Sequence, residues 1–151
     1  MLTVADVMTT TVMTVKKETG IRELAELFAS QKISTAPVVD DSGKLIGVVT
    51  ETDLIEQDKN LHIPTVISLF DWVIYLESEK KFERELKKMT GQTVADIYNP
   101  DAISVAPGTP VSEVADLMSS QKIHAIPVVD GGRLVGIIAR IDLIRSMIKP
   151  T

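Results

Sequence analysis

Not one of the 151 residues is cysteine, which excludes disulfide bonds, thiol catalysis and zinc–thiolate centres. Histidine occurs only twice, no pattern of residues reads as a metal-ligand cluster or a Ser-His-Asp set, and no Gly-rich phosphate loop of the Walker type is present. Catalysis therefore finds little support, and the expectation is a protein that is not an enzyme. Positive charge is also scarce. The formal net charge is -5, and the densest basic stretch (Lys80, Lys81, Arg84, Lys87, Lys88) is interleaved with Glu79, Glu83 and Glu85. That pattern is a solvated helix face, so a duplex nucleic acid is not an expected partner. Long apolar runs are missing too. The longest, residues 61–76, is broken by Pro64, Thr65, Ser68 and Asp71. It falls short of the roughly 20 residues of a membrane-spanning helix. With no basic-plus-apolar leader at the start, the expected location is cytoplasmic.

What the chain has instead is a repeat. Val4-Ala5-Asp6-Val7 returns as Val94-Ala95-Asp96-Ile97, and Ser30-Gln31-Lys32-Ile33 as Ser120-Gln121-Lys122-Ile123. Pro37-Val38-Val39-Asp40 returns as Pro127-Val128-Val129-Asp130, at the same offset of 90 residues. The offset becomes 89 after one residue is lost in a turn, so Gly47-Val48-Val49-Thr50-Glu51-Thr52-Asp53 matches Gly136-Ile137-Ile138-Ala139-Arg140-Ile141-Asp142. Two copies of one unit packed about a pseudo-two-fold axis follow, with any site present twice in related form.

Each copy reads as β-α-β-β-α, an α+β unit. A short helical turn opens it, and a brief extended segment (11–15 or 101–105) follows. Thr19 or Thr109 is placed to cap a helix, with Pro110 at its first position in the second copy. Ile21, Leu24, Ala25, Leu27 and Phe28 share one helix face, repeated by Val111, Val114, Ala115, Leu117 and Met118. Pro37 and Pro127 end any helix and introduce the first strand of a hairpin. Asp41-Ser42-Gly43 and Gly131-Gly132 make its turn, and uniformly apolar second strands follow. A unit of about 50 residues buries too little surface to be stable alone, so two copies pressed sheet to sheet are expected. The division is residues 1–56, a helical insertion at 57–91, and residues 92–151. The insertion carries Val66, Phe70, Trp72 and Tyr75, too apolar for a free linker. It either folds back on the repeats or, the favoured reading, forms a subunit interface.

The strand-to-helix junctions carry the chemistry. At the first, Gly47 permits close approach, the Thr50 hydroxyl and the helix N-terminus suit a phosphate, and Asp53 can accept two hydrogen bonds from a ribose diol. The same residues have a purely structural reading, in which Thr50 caps the helix and Asp53 complements its dipole. The second junction keeps Asp142, replaces the threonine by Ala139, and offers Arg140 as a source of charge, so the two sites should be unequal. His124 stands opposite Ser34, and either can reach a phosphate at the mouth of a cleft.

Taken in order, and twice, these motifs resemble the cystathionine-beta-synthase (CBS) domain. The resemblance covers nearly everything outside residues 57–91. It implies a tandem CBS module that binds an adenosine-containing ligand between the repeats, senses energy or metabolites, and pairs as a homodimer. By position it implies ribose contacts from Asp53 and Asp142 and a phosphate-facing hydroxyl at Thr50. Ser34 and His124 match a phosphate-contacting position. Ala36 and Ile126 match residues whose backbone lines the adenine pocket, as do residues near Val12 and Ala102. The expected function is a stand-alone regulatory module needing no cofactor, with AMP, ADP or ATP as its ligand. S-adenosylmethionine, NAD and cyclic dinucleotides carry the same handle. A regulated partner protein would receive the signal. The alternative is a ligand-free interaction or dimerisation scaffold.

Overall fold

A computed structural model describes residues 1–60 and 92–148, and the apolar stretch assigned to an interface lies mostly outside them. The architecture is α+β, as expected. The first repeat comprises α1 (Val4–Val7), α2 (Ile21–Gln31), β1 (Thr35–Val39), β2 (Leu45–Thr50) and α3 (Glu51–Asn60). The second comprises a 3-10 turn (Val94–Asp96), α4 (Val111–Gln121), β3 (Ala125–Asp130), β4 (Arg133–Ala139) and α5 (Arg140–Ile148). Each hairpin is antiparallel and carries an irregularity at the same place, Val38/Val39 and Val128/Val129.

The expected first strand shrinks to one residue. Val15 makes a single parallel bridge to Val38, and Val105 one to Val128. This edge explains a proline inside a strand. Pro37 accepts from the Val15 amide at 3.0 Å, while its ladder partner Val48 exchanges both backbone bonds with Asn99. No donor is required of the proline nitrogen at that position. Pro127, paired with Ile137, repeats the arrangement.

The helices begin later than the threonines suggest. Thr19 accepts from the Lys16 amide at 3.0 Å and Thr109 from the Ala106 amide at 3.2 Å, closing turns ahead of the helices. Gly20 and Pro110 take the cap positions. The first helical amides are satisfied from the other repeat, Ile21 by the Gln92 carbonyl and Val111 by the Leu2 carbonyl. Both helices end in a left-handed lysine, Lys32 and Lys122, each at φ 53°.

The repeats interlock more deeply than two pressed sheets would. Val4 is fully buried in a core with Val114, Met118, Ile126, Val128 and Ile138 of the second repeat. Val94 is fully buried with Leu24, Phe28, Ala36, Val38 and Val49 of the first. Each unit thus lends its opening turn to its twin. The lent segments then run along the borrowed sheets. Thr9 exchanges backbone bonds with Ile137 at 2.8 and 2.9 Å, and Asn99 with Val48 at 2.8 and 3.0 Å. The conserved spacing of Gly47 and Gly136 belongs to this crossing. A Cβ at Gly47 would collide with the Asn99 carbonyl and the Tyr98 ring, and one at Gly136 with Met8. Backbone pairing joins the two hairpins at their turns, where Lys44 bridges Arg133, the Leu45 amide donates to Gly132 and the Leu134 amide to Gly43.

Candidate functional site

A Thr-x-x-Asp pattern opens three helical turns, at Thr3–Asp6, Thr50–Asp53 and Thr93–Asp96, and in each the aspartate accepts from the threonine amide. At the β2–α3 junction the box is closed on itself. Asp53 Oδ2 accepts from the Thr50 amide at 2.9 Å and from the Thr50 hydroxyl at 3.0 Å, while that hydroxyl accepts from the Asp53 amide at 3.2 Å. The structural reading of these two residues therefore holds: Thr50 caps α3.

The β4–α5 junction has lost the hydroxyl, and the consequence reaches across the molecule. Among the described residues, Asp142 Oδ2 accepts only from the Ala139 amide, at 2.8 Å. Oδ1 accepts from the hydroxyl of Thr9, 133 residues away in the chain, at 3.0 Å. Asp142 is 6% exposed, against partial exposure for Asp53. Two hydrogen bonds to a carboxylate that can accept about four leave acceptor capacity in a desolvated place, where it counts most.

A cavity of about 530 Å³ opens over this carboxylate. It brings together five of the ten residues singled out from the sequence: Val12 and Ser34 from the first repeat, His124, Arg140 and Asp142 from the second. Thr50, Asp53 and Ala102 do not line it; the repeat sets them opposite Ala139, Asp142 and Val12, which do. Ala36 and Ile126 do not line it either. Their side chains are fully buried in the two cores, and strand alternation turns the preceding residues, Thr35 and Ala125, to the cavity. Sequence reasoning missed Thr9, Lys32 and Arg145. Lys32 and Arg145 are in register with Lys122 and Glu56, so the repeat could have flagged them. Nothing in the local sequence announces Thr9, whose role depends on the exchange of opening segments.

The electrostatics of the lining are lopsided. Asp142 is its one acid, against the permanent cations Lys32, Arg140 and Arg145, with His124 beside them. The ion pairs among the described residues, Lys16–Asp41 and Arg22–Glu26, use none of these groups. The Arg140 amide donates to the His124 carbonyl at 3.1 Å, tying the start of α5 to the end of the α4–β3 connection. Apolar Val12, Ile33, Ala125 and Ile137 complete a wall suited to a flat ring. Among the described residues no helix is long and apolar enough to cross a membrane.

Comparison with known proteins identifies the family and the fold. The family model for the CBS domain matches residues 4–60 and again 94–149. Uncharacterized protein MJ1426 of Methanocaldococcus jannaschii is 31% identical over 142 residues, covering 89% of this chain and 84% of that protein. The chloroplastic CBS domain-containing protein CBSX2 of Arabidopsis thaliana is 31% identical over 145 residues, of which this chain spans 58% of the full length. Its crystal structure in complex with AMP superposes with a TM-score of 0.74 at 29% identity, covering 97% of this chain and 96% of that one. The CBS domain pair of protein MJ0100, in complex with 5'-methylthioadenosine and S-adenosyl-L-methionine, gives 0.69 at 25% identity, covering 97% and 95%.

Proposed function

We propose a function from one premise: the chain belongs to the CBS domain family, as two matched repeats. CBS-pair relatives crystallised with AMP or with S-adenosylmethionine and 5'-methylthioadenosine fit a nucleotide-binding regulatory module. Our reading of this chain is a regulatory module that takes an adenosine-containing ligand, AMP, ADP or ATP, in the cleft over Asp142. The observation that carries it is the buried Asp142 carboxylate, held by Ala139 and Thr9 with acceptor capacity left over, in the wall of a cavity that Lys32, Arg140 and Arg145 also line. The carboxylate would accept from the ribose hydroxyls. Arg140, Ser34 and His124 would meet the phosphate, and Val12 with its apolar neighbours the base.

The signal would pass through a homodimer or a partner protein, by the ligand's differential affinity for one arrangement. Ile55, Met147 and Ile148 lie exposed on α3 and α5, apolar surface that supports pairing with a second copy. Residues 57–91 remain our candidate for the rest of that interface. The test is calorimetric titration of AMP into wild-type protein and Asp142→Ala. Loss of hydrogen bonds to a charged acceptor should weaken binding by about 1.5–3 kcal/mol. Unchanged affinity at an occupied cleft would sink the assignment, and no binding of any adenosine compound would favour a ligand-free scaffold.

A further inference from the structure

The two strand-to-helix junctions share one backbone and oppose each other in charge. The Arg140 amide donates to the His124 carbonyl at 3.1 Å; the Glu51 amide donates to the Ser34 carbonyl at 3.0 Å. Arg140 is thus the structural equivalent of Glu51, and His124 of Ser34. One turn and a half further along the same helices, Arg145 corresponds to Glu56 at the same offset of 89 residues. Thr11, in the cavity wall, corresponds to Asp101 at the offset of 90. The cleft over Asp142 therefore sets Lys32, Arg140 and Arg145 against a single carboxylate. In the repeat register the matching positions are Lys122 against Glu51, Asp53, Glu56 and Asp101. Two Arg-to-Glu exchanges at matched sites reverse the local field while the fold around them stays the same. A phosphate gains from the first cleft and is repelled by the second.

We infer that the chain sorts adenosine ligands by charge: the Arg140/Arg145 cleft takes one phosphorylated nucleoside per chain, and its acidic twin rejects phosphate. The inference rests on the adenosine-binding reading above and adds selectivity and stoichiometry to it. Arg145 and Glu56 become specificity-determining residues. Uncharged 5'-methylthioadenosine and S-adenosylmethionine should be poor ligands of the Arg140/Arg145 cleft, because the first has no anion and the second, whose sulfonium and ammonium outweigh its one carboxylate, is a net cation.

The experiment is calorimetric titration of AMP, adenosine, 5'-methylthioadenosine and S-adenosylmethionine into the full chain at low and moderate salt. AMP is expected to bind once per chain, about ten-fold to a hundred-fold more tightly than adenosine, with an affinity that falls as salt rises. The double variant Arg140→Glu, Arg145→Glu should bring AMP down to the adenosine level and leave adenosine itself little changed, with the melting temperature checked against wild type. Adenosine binding as tightly as AMP, or two equal AMP sites per chain, would overturn charge sorting while leaving the adenosine site standing; both are read on unaltered protein. No binding by any of the four would remove the adenosine reading, and charge sorting with it.

Discussion

At the scale of single residues, two glycines mark where each repeat's opening segment crosses the other's hairpin. Gly47 and Gly136 stood out as places where something approaches closely, and what approaches is the other repeat's opening segment. The two are not equally constrained. A methyl group at Gly47 would meet a backbone carbonyl and the Tyr98 ring, with Cδ2 2.6 Å away, whereas one at Gly136 would first meet the flexible Met8 side chain. Gly47→Ala should therefore destabilise the protein by about 1–3 kcal/mol, the usual range for overpacking, and Gly136→Ala by less. Urea midpoints of the two variants check this ranking, and an inert Gly47→Ala would mean that Asn99 does not cross there. Asp53 and Asp142 looked interchangeable as ribose acceptors. The repeat placed both, but it could not show that Thr50 occupies one and Thr9 the other, because the second contact spans 133 residues.

At the scale of elements, periodicity located both long helices, and the turn residues located both hairpins. Those signals are local, set by 3.6- and 2-residue spacing and by backbone preference. The helix starts were misjudged because their amides are satisfied by carbonyls of the distant repeat, Gln92 and Leu2, so no side-chain cap was needed. The short opening helix also draws on the other repeat, Val4 and Ala5 donating to the Thr109 and Pro107 carbonyls at 2.8 and 2.9 Å, but it adds a side-chain cap of its own. The amide and hydroxyl of Thr3 hold the Asp6 carboxyl below its ordinary range. A depressed carboxylate pKa contributes stability that is present above the unfolded value and lost as pH falls through the folded one. The anchoring of α1 should then weaken on acidification below the normal carboxylate range. Amide exchange of Met8, which donates to the Val4 carbonyl, reports it. Wild type should lose protection there as pH falls after correction for intrinsic exchange, and Asp6→Asn should begin lower and change less. Identical profiles for the two proteins would show that the carboxylate does not hold the turn.

At the scale of the whole molecule, the exchange of opening segments makes the two repeats one folding unit. Val4 is fully buried in the second core and Val94 in the first, and each lent strand segment also supplies the edge its host sheet lacks. Neither core is complete without residues from the other repeat. Loss of one should therefore expose the other, unlike repeats in tandem arrays that contact only their neighbours' outer faces. Val4→Ala removes two buried methyl groups and should cost about 2 kcal/mol with some cavity penalty. The telling quantity is where that cost appears. Native-state hydrogen exchange at Val15 and Val39, which report the first repeat, and at Val105 and Val129, which report the second, should show the same loss of protection. A loss confined to Val105 and Val129 would mean that the repeats open independently. The Asp142 cleft is lined by Val12 and Ser34 of one repeat and by Asp142 and Arg140 of the other, so a ligand bound there would touch both. If the unfolding is one event, occupancy of that cleft must stabilise both halves at once. That coupling is what a sensor needs if its ligand is to reset the whole chain.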